Sequence, residues 1–194
     1  MQDDEPSKGI VIGILGVGPG DGASTVAAAI AACCSKDFGL GTVLVDADRT
    51  NQSVGRRFSL NGSPGLQQLM VGEDIALNDC LQSFEPFDLS LVSSTNSKNA
   101  SLDAKSFSIS KGISCLSELS NKFDIVVVDL PHASAADSAA SMAPLLENII
   151  VVVQSGKTRV EQAVNVLRKF DKSNSEICGV VLNKCKTTFP WQSS

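Results

Sequence analysis

The 194 residues are 43% hydrophobic and 19% charged, the balance of a soluble globular chain long enough to bury a core without metals or disulfides. A formal net charge of −5 and a pI near 4.8 argue against a general nucleic-acid binder, because attraction to phosphate needs basic excess. No apolar run approaches the roughly 18–20 residues that span a bilayer, and the acidic start Met1 to Pro6 has no signal-peptide core, so the chain is expected in the cytoplasm.

Residues 1–9 read as a flexible acidic lead, followed by one domain over 10–186 and a short tail over 187–194. In chain order, 10–15 is a strand, 24–35 a helix of small residues, and 42–45 a second strand. Residues 50–78 look like loops and short helices, with Ser63-Pro64-Gly65 as a turn. A strand over 89–92 leads into a long Ser-, Asn- and Lys-rich connection over 93–110. Then helices over 113–121, 134–142 and 158–170 alternate with strands over 125–128, 149–153 and 177–182. Most strands are continuous apolar runs, as strands buried on both faces of a parallel sheet must be. Their alternation with helices predicts right-handed crossovers and a doubly wound α/β sheet with helices on both faces.

Six cysteines (Cys33, Cys34, Cys80, Cys115, Cys178 and Cys185) form no C-x-x-C pair, and the single histidine, His132, is remote from all of them. That pattern fits reduced thiols rather than zinc ligation. Arg56-Arg57 reads as a solvated basic pair, and Lys8 and Lys157 as surface lysines.

Gly18-Pro19-Gly20-Asp21-Gly22-Ala23-Ser24-Thr25 lies between the first strand and the first helix. It has the residue order of a phosphate-binding loop, G-x-x-x-x-G-K-S/T, with Ala23 in the lysine position and Val17 at the first glycine. Glycines let backbone amides approach phosphate, and the helix N-terminus adds partial positive charge. Pro19 to Thr25 are therefore the candidate nucleotide-binding residues, with Ser24 as a Mg²⁺ hydroxyl and Thr25 as a phosphate donor. The second strand ends in Asp46-Ala47-Asp48, at the sheet edge where ligands bind. Asp46 is the candidate base and Asp48 a candidate metal group. The run Ile125 to Val128 ends in Asp129, placed for a water-mediated Mg²⁺ contact.

These motifs, with Pro64-Gly65-Leu66, Leu69-Met70-Val71-Gly72, Phe123-Asp124, Gly156-Lys157-Thr158-Arg159 and Gly179-Val180-Val181-Leu182-Asn183, run through nearly the whole chain. Together they resemble the cytoplasmic domain of bacterial tyrosine kinases of capsule and exopolysaccharide synthesis. That group sits among the deviant-Walker P-loop ATPases, with the septum-site and chromosome-partitioning proteins. The resemblance implies ATP or ADP with Mg²⁺ as ligands and Asn183 as the adenine contact. It also implies a membrane polysaccharide co-polymerase or homologous kinase as partner, self-association, and recruitment to the inner membrane through the partner.

The chain departs from the family pattern at four points. Ala23 replaces the loop lysine, Thr50 replaces an arginine, Asp129-Leu130-Pro131-His132 replaces Asp-Thr-Pro-Pro, and there is no tyrosine anywhere. The expectation is a degenerate kinase-like protein with weakened or lost nucleotide binding and little or no turnover, which works through contacts. An active ATPase or protein kinase with a non-standard loop is the alternative. A positioning ATPase for pili or flagella is a third reading.

Overall fold

The computed structural model describes residues 8–48, 51, 53–60, 64–71, 75–94, 108–134, 146–170 and 175–186. The expectations for 1–7, for Arg49 and Thr50, for most of 93–110, for the helix over 134–142, and for the tail with Phe189 and Trp191 lie outside those residues.

The sheet is built from β1 (Ile10–Gly16), β2 (Thr42–Asp46), β3 (Leu81–Phe84), β4 (Leu89–Val92), β5 (Ile125–Asp129), β6 (Asn148–Gln154) and β7 (Glu176–Asn183), in the order β3-β4-β2-β5-β1-β6-β7. All neighbours are parallel except β3, which pairs antiparallel with β4. The register sets Ile14 opposite Asp129 and Asp46 opposite Asp129. Three strand ends therefore converge where β1 turns into the glycine-rich loop.

Continuous apolar strands feed two cores because successive side chains leave opposite faces. Val43, Val45, Val126, Val128 and Val151 pack with Leu116, Leu119, Val166 and Phe170 on one face. Leu44, Val127 and Val152 join Ile14, Ala27, Ala28 and Ala31 on the other. The first face is covered by α5 (Ile109–Lys122) and α6 (Val160–Phe170), the second by α1 (Ala23–Lys36). Full burial of each Val or Leu stabilises the fold by roughly 1.5–3 kcal/mol. The buried residues of α1 are three alanines and a serine, whose small side chains let it lie close on the sheet, with Val26, Ile30 and Cys34 packing half-buried beside them.

The irregular second quarter contains three short helices, α2 (Ser53–Arg57), α3 (Leu66–Val71) and α4 (Leu77–Cys80). Strand β3 has no counterpart among the sequence expectations. Its four residues are half-buried or exposed and carry no apolar run. Edge pairing with β4 across a 3-10 turn makes it a strand, and Phe84 stacks edge-on against Phe58 at 4.9 Å. Helix α5 begins at Ile109 rather than 113, where Ser108 caps it by accepting the Lys111 amide. Helix α6 begins at Val160 rather than 158. The Thr158 side chain is occupied in the preceding turn, where its Oγ1 accepts the Gln154 amide at 2.8 Å.

Gly9 leads into β1 and donates its amide to the Ser120 carbonyl at 2.7 Å. A Cβ there would run into the backbone carbonyls of Phe123 and Asp124, which cannot swing away as a side chain can. Gly9→Ala is expected to destabilise the chain by on the order of 3 kcal/mol, read as a fall in melting temperature of roughly 10 °C. An unchanged melt would show that β1 is not held there.

Candidate functional site

The loop after β1 is shaped by Gly20 (φ 80°) and Gly22 (φ 95°), left-handed positions that favour glycine. Gly22 is the N-cap of α1 and caps with no side chain. Its carbonyl accepts the amides of Thr25 and Val26, which leaves those of Ala23 and Ser24 at the open helix end. Such an end favours an anion.

Asp21 is buried and braces the loop. Its Oδ2 accepts the Gly18 amide at 2.8 Å, and its Oδ1 accepts the Thr158 hydroxyl at 3.0 Å. Two further segments tie the same turn from outside. Asn183 Nδ2 donates to the Asp21 carbonyl at 2.9 Å, and Lys184 Nζ donates to the Gly20 carbonyl at 2.6 Å. Lys157 Nζ reaches the Pro19 carbonyl at 3.2 Å. Lys157 is exposed, as expected of a surface lysine, and is also a loop contact. Asn183 Oδ1 accepts the Lys184 amide at 2.8 Å, so this amide group, expected to face adenine, is already tied into the protein at both ends.

On the other side of the helix start, Ser24, Asp46, Asp48 and Asp129 come together with Ser53, which donates to Ser24 Oγ at 2.7 Å. Asp46 accepts the Asp48 amide at 3.0 Å and the Gly55 amide at 3.1 Å, so it holds the start of α2 in place. Burial pushes its carboxyl up to about 6, and the amide bonds oppose the rise. Asp48 accepts the Asn51 amide at 3.2 Å and the Asn51 side-chain nitrogen at 2.9 Å.

Asp129 is fully buried, and neither of its oxygens accepts a hydrogen bond. Burial pushes it up to about 7. The adjacent Ser24 and Ser53 hydroxyls lower it in part, and the Asp46 and Asp48 charges raise it further. A buried, unpartnered carboxylate of this kind calls for a proton or a cation. Among the described residues no three His, Cys, Asp or Glu side chains converge to cage a metal unaided.

Arg56 and Arg57 are both exposed, as expected of a solvated pair, and Thr25 accepts Arg57 Nη2 at 3.0 Å. His132 Nδ1 and Ser134 Oγ are 2.9 Å apart within their own loop, away from these carboxylates. Sequence reasoning missed Ser53, Arg57, Thr158 and Lys184. Thr158 and Lys184 stand inside or beside quoted motifs, whereas Ser53 and Arg57 lie in the irregular stretch, where only the fold brings them to α1.

A mostly parallel seven-stranded sheet, its central strand running into a glycine-rich turn and helix beside strand-end carboxylates, is the fold of the P-loop NTPases. The kinase domain of the Escherichia coli tyrosine kinase ETK superposes with a TM-score of 0.79 at 20% identity, covering 93% of this chain and 71% of that one. The septum-site-determining protein MinD of Pyrococcus horikoshii, solved with Mg-ADP, gives 0.75 at 19% identity, covering 89% of this chain and 69% of that one.

In sequence, the chain is a homologue of bacterial tyrosine kinases. It is 28% identical over 92% of its length to the succinoglycan biosynthesis transport protein ExoP of Rhizobium meliloti, and 23% identical over 90% to the tyrosine-protein kinase CpsD of Streptococcus agalactiae. The chain spans 22% of ExoP and 75% of CpsD. No family model matches it. Among the described residues no helix is long and apolar enough to cross a membrane.

Proposed function

We propose that the chain is a degenerate relative of the bacterial tyrosine kinases that regulates exopolysaccharide or capsule synthesis or export by contact. Its partner is a membrane co-polymerase or a homologous kinase, which would bring it to the inner membrane. Nucleotide is held weakly with Mg²⁺ and is turned over little or not at all. One observation carries this reading: Ala23 stands where the loop's charge belongs although the strand-end carboxylates are in place, in 194 residues that contain no tyrosine. Tyrosine autophosphorylation of these residues is chemically impossible.

The residues fit the absent ligand. The Gly20–Gly22 turn and the open amides of Ala23 and Ser24 would cradle phosphate, and Ser24, Asp48 and the orphaned Asp129 would hold Mg²⁺. The ion would supply charge neutralisation at the phosphates. Asp46, buried and raised to about 6, accepts the Asp48 and Gly55 amides, and this bracing of the start of α2 argues for a structural role in this chain.

A charge-assisted hydrogen bond contributes about 1.5–3 kcal/mol, or roughly 10- to 150-fold in affinity. Loss of an electrostatic contact to the transition state costs about 10²–10³ in rate. Binding therefore survives the loss of the lysine better than turnover does. The alternative, an active ATPase or kinase with a non-standard loop, draws support from the complete carboxylate set and from the two lysine amines at the turn.

Deleting the gene in the source organism tests the functional role. The amount or length of surface polysaccharide is expected to change and to be restored by the unaltered chain. Unchanged polysaccharide would remove the reading.

A further inference from the structure

Three cations stand at the lysine-less loop and the helix it opens, and their geometry separates them. Lys184 Nζ holds two acceptors, the Gly20 carbonyl at 2.6 Å and Gln154 Oε1 at 3.4 Å, and its backbone sits at φ 55° directly after Asn183. Its amine is committed to fixing the turn. Arg57 rides on the five-residue α2 and meets Thr25, on the helix rather than on the loop.

Lys157 differs from both. Its backbone is fixed: its amide donates to the Gln154 carbonyl at 3.2 Å, and the adjacent Thr158 is bonded to both Gln154 and Asp21. Its side chain is exposed, and its amine has one neutral acceptor, the Pro19 carbonyl at 3.2 Å. Exchanging that carbonyl for a phosphate oxygen breaks no ion pair and gains a charge-assisted bond.

Two features place this amine against the turn and beside the segment that leaves Asp129. It lies 3.7 Å from where a Cβ on Gly20 would stand, an ordinary contact distance, so it sits directly against the turn. It also lines a cleft of ≈ 340 Å³ whose walls include Gly18, Pro19, Ala133 and Ser134. Ala133 and Ser134 directly follow the segment that leaves Asp129, and Ala133 donates its amide to the Gly16 carbonyl at 2.8 Å. A metal held by Asp129 would neutralise charge on the phosphates of a bound nucleotide. Asn183 and Lys184 are not part of this cleft.

We propose that Lys157, from the turn between β6 and α6, supplies the positive charge that position 23 lacks and contacts the terminal phosphate of a nucleoside triphosphate. The inference rests on the reading of the loop as a nucleotide site. It makes the loop a two-piece device, with the amides from one segment and the cation from another.

Calorimetric titration of Mg-ATP and Mg-ADP into the unaltered chain, Lys157→Gln, Lys184→Gln and the double variant Ala23→Lys/Lys157→Gln tests it. Lys157→Gln is expected to weaken ATP by about 10- to 100-fold and ADP by much less, with a melting temperature unchanged because the residue is exposed. Ala23→Lys is expected to restore ATP binding in the Lys157→Gln background, and Lys184→Gln to weaken both nucleotides alike. If the unaltered chain binds and Lys157→Gln binds ATP equally well, or loses ATP and ADP to the same extent, the inference falls alone. A selective loss of ATP in Lys184→Gln also overturns it. If the unaltered chain binds neither nucleotide at millimolar concentration while Ala23→Lys binds, the nucleotide reading fails and takes the inference with it.

Discussion

Replacing Asp129 by asparagine is expected to raise the melting temperature of the unliganded chain by about 5 °C at pH 8 and by almost nothing near pH 4. Asp129 is fully buried with both oxygens unpartnered, and burial lifts its carboxyl from 3.8 to about 7. Between those values the folded chain holds a proton that the unfolded chain has lost. Stability therefore falls as pH rises through the window, and the whole cost is present above about pH 7. The rise corresponds to ~4 kcal/mol against the ionised form. Asparagine recovers about half, on the order of 2 kcal/mol, because its own amide also needs partners.

Thermal melts of both chains across this pH range read the difference directly. An equal gain at pH 4 and pH 8 would contradict the account, since it would point to packing rather than charge. Asp46 serves as an internal contrast. Its oxygens accept the Asp48 and Gly55 amides, so Asp46→Asn is expected to lower stability at pH 8.

The second large effect is a gain of function. Ala23→Lys is expected to tighten Mg-ATP by about 10- to 150-fold, because Ser24, Asp48, Asp129 and the open helix amides already surround the position. Ala23 is half-buried beside the α1 face of the sheet, and a lysine stem there lies along apolar surface while its amine reaches the loop. Calorimetry on the two chains measures the change. No binding by either chain at millimolar Mg-ATP would show that the turn does not seat a phosphate chain, whatever its backbone shape.

The class of sheet, doubly wound and mostly parallel, was legible because most of its strands are continuous apolar runs, whereas the strand order and the exposed alternate residues of β7 were not. The site was legible where chemistry is local: the glycines at 20 and 22, the strand-end aspartates and the missing lysine are all visible in short words of sequence. What stayed hidden was long-range. Thr158 and Lys157 come to the loop across 137 and 138 residues, and Lys184 across 164, through the adjacency of β1, β6 and β7. Ser53 and Arg57 come from a five-residue helix without periodicity. Strand β3 is defined by its neighbour rather than by its own side chains. Even Asp21, legible as a loop residue, reads differently once its carboxylate is seen bonded to Gly18 and Thr158. It shapes the loop from within.

The central claim is that this site holds nucleotide without turning it over. The direct test is to measure Mg-ATP binding and phosphate release on one preparation of the unaltered chain. The account predicts saturable binding between micromolar and millimolar concentration, with phosphate release indistinguishable from buffer and no phosphate transferred to the chain. Sustained release at a rate typical of ATPases, on the order of 1 per second or faster, would contradict it and make the protein an enzyme with an unconventional cation.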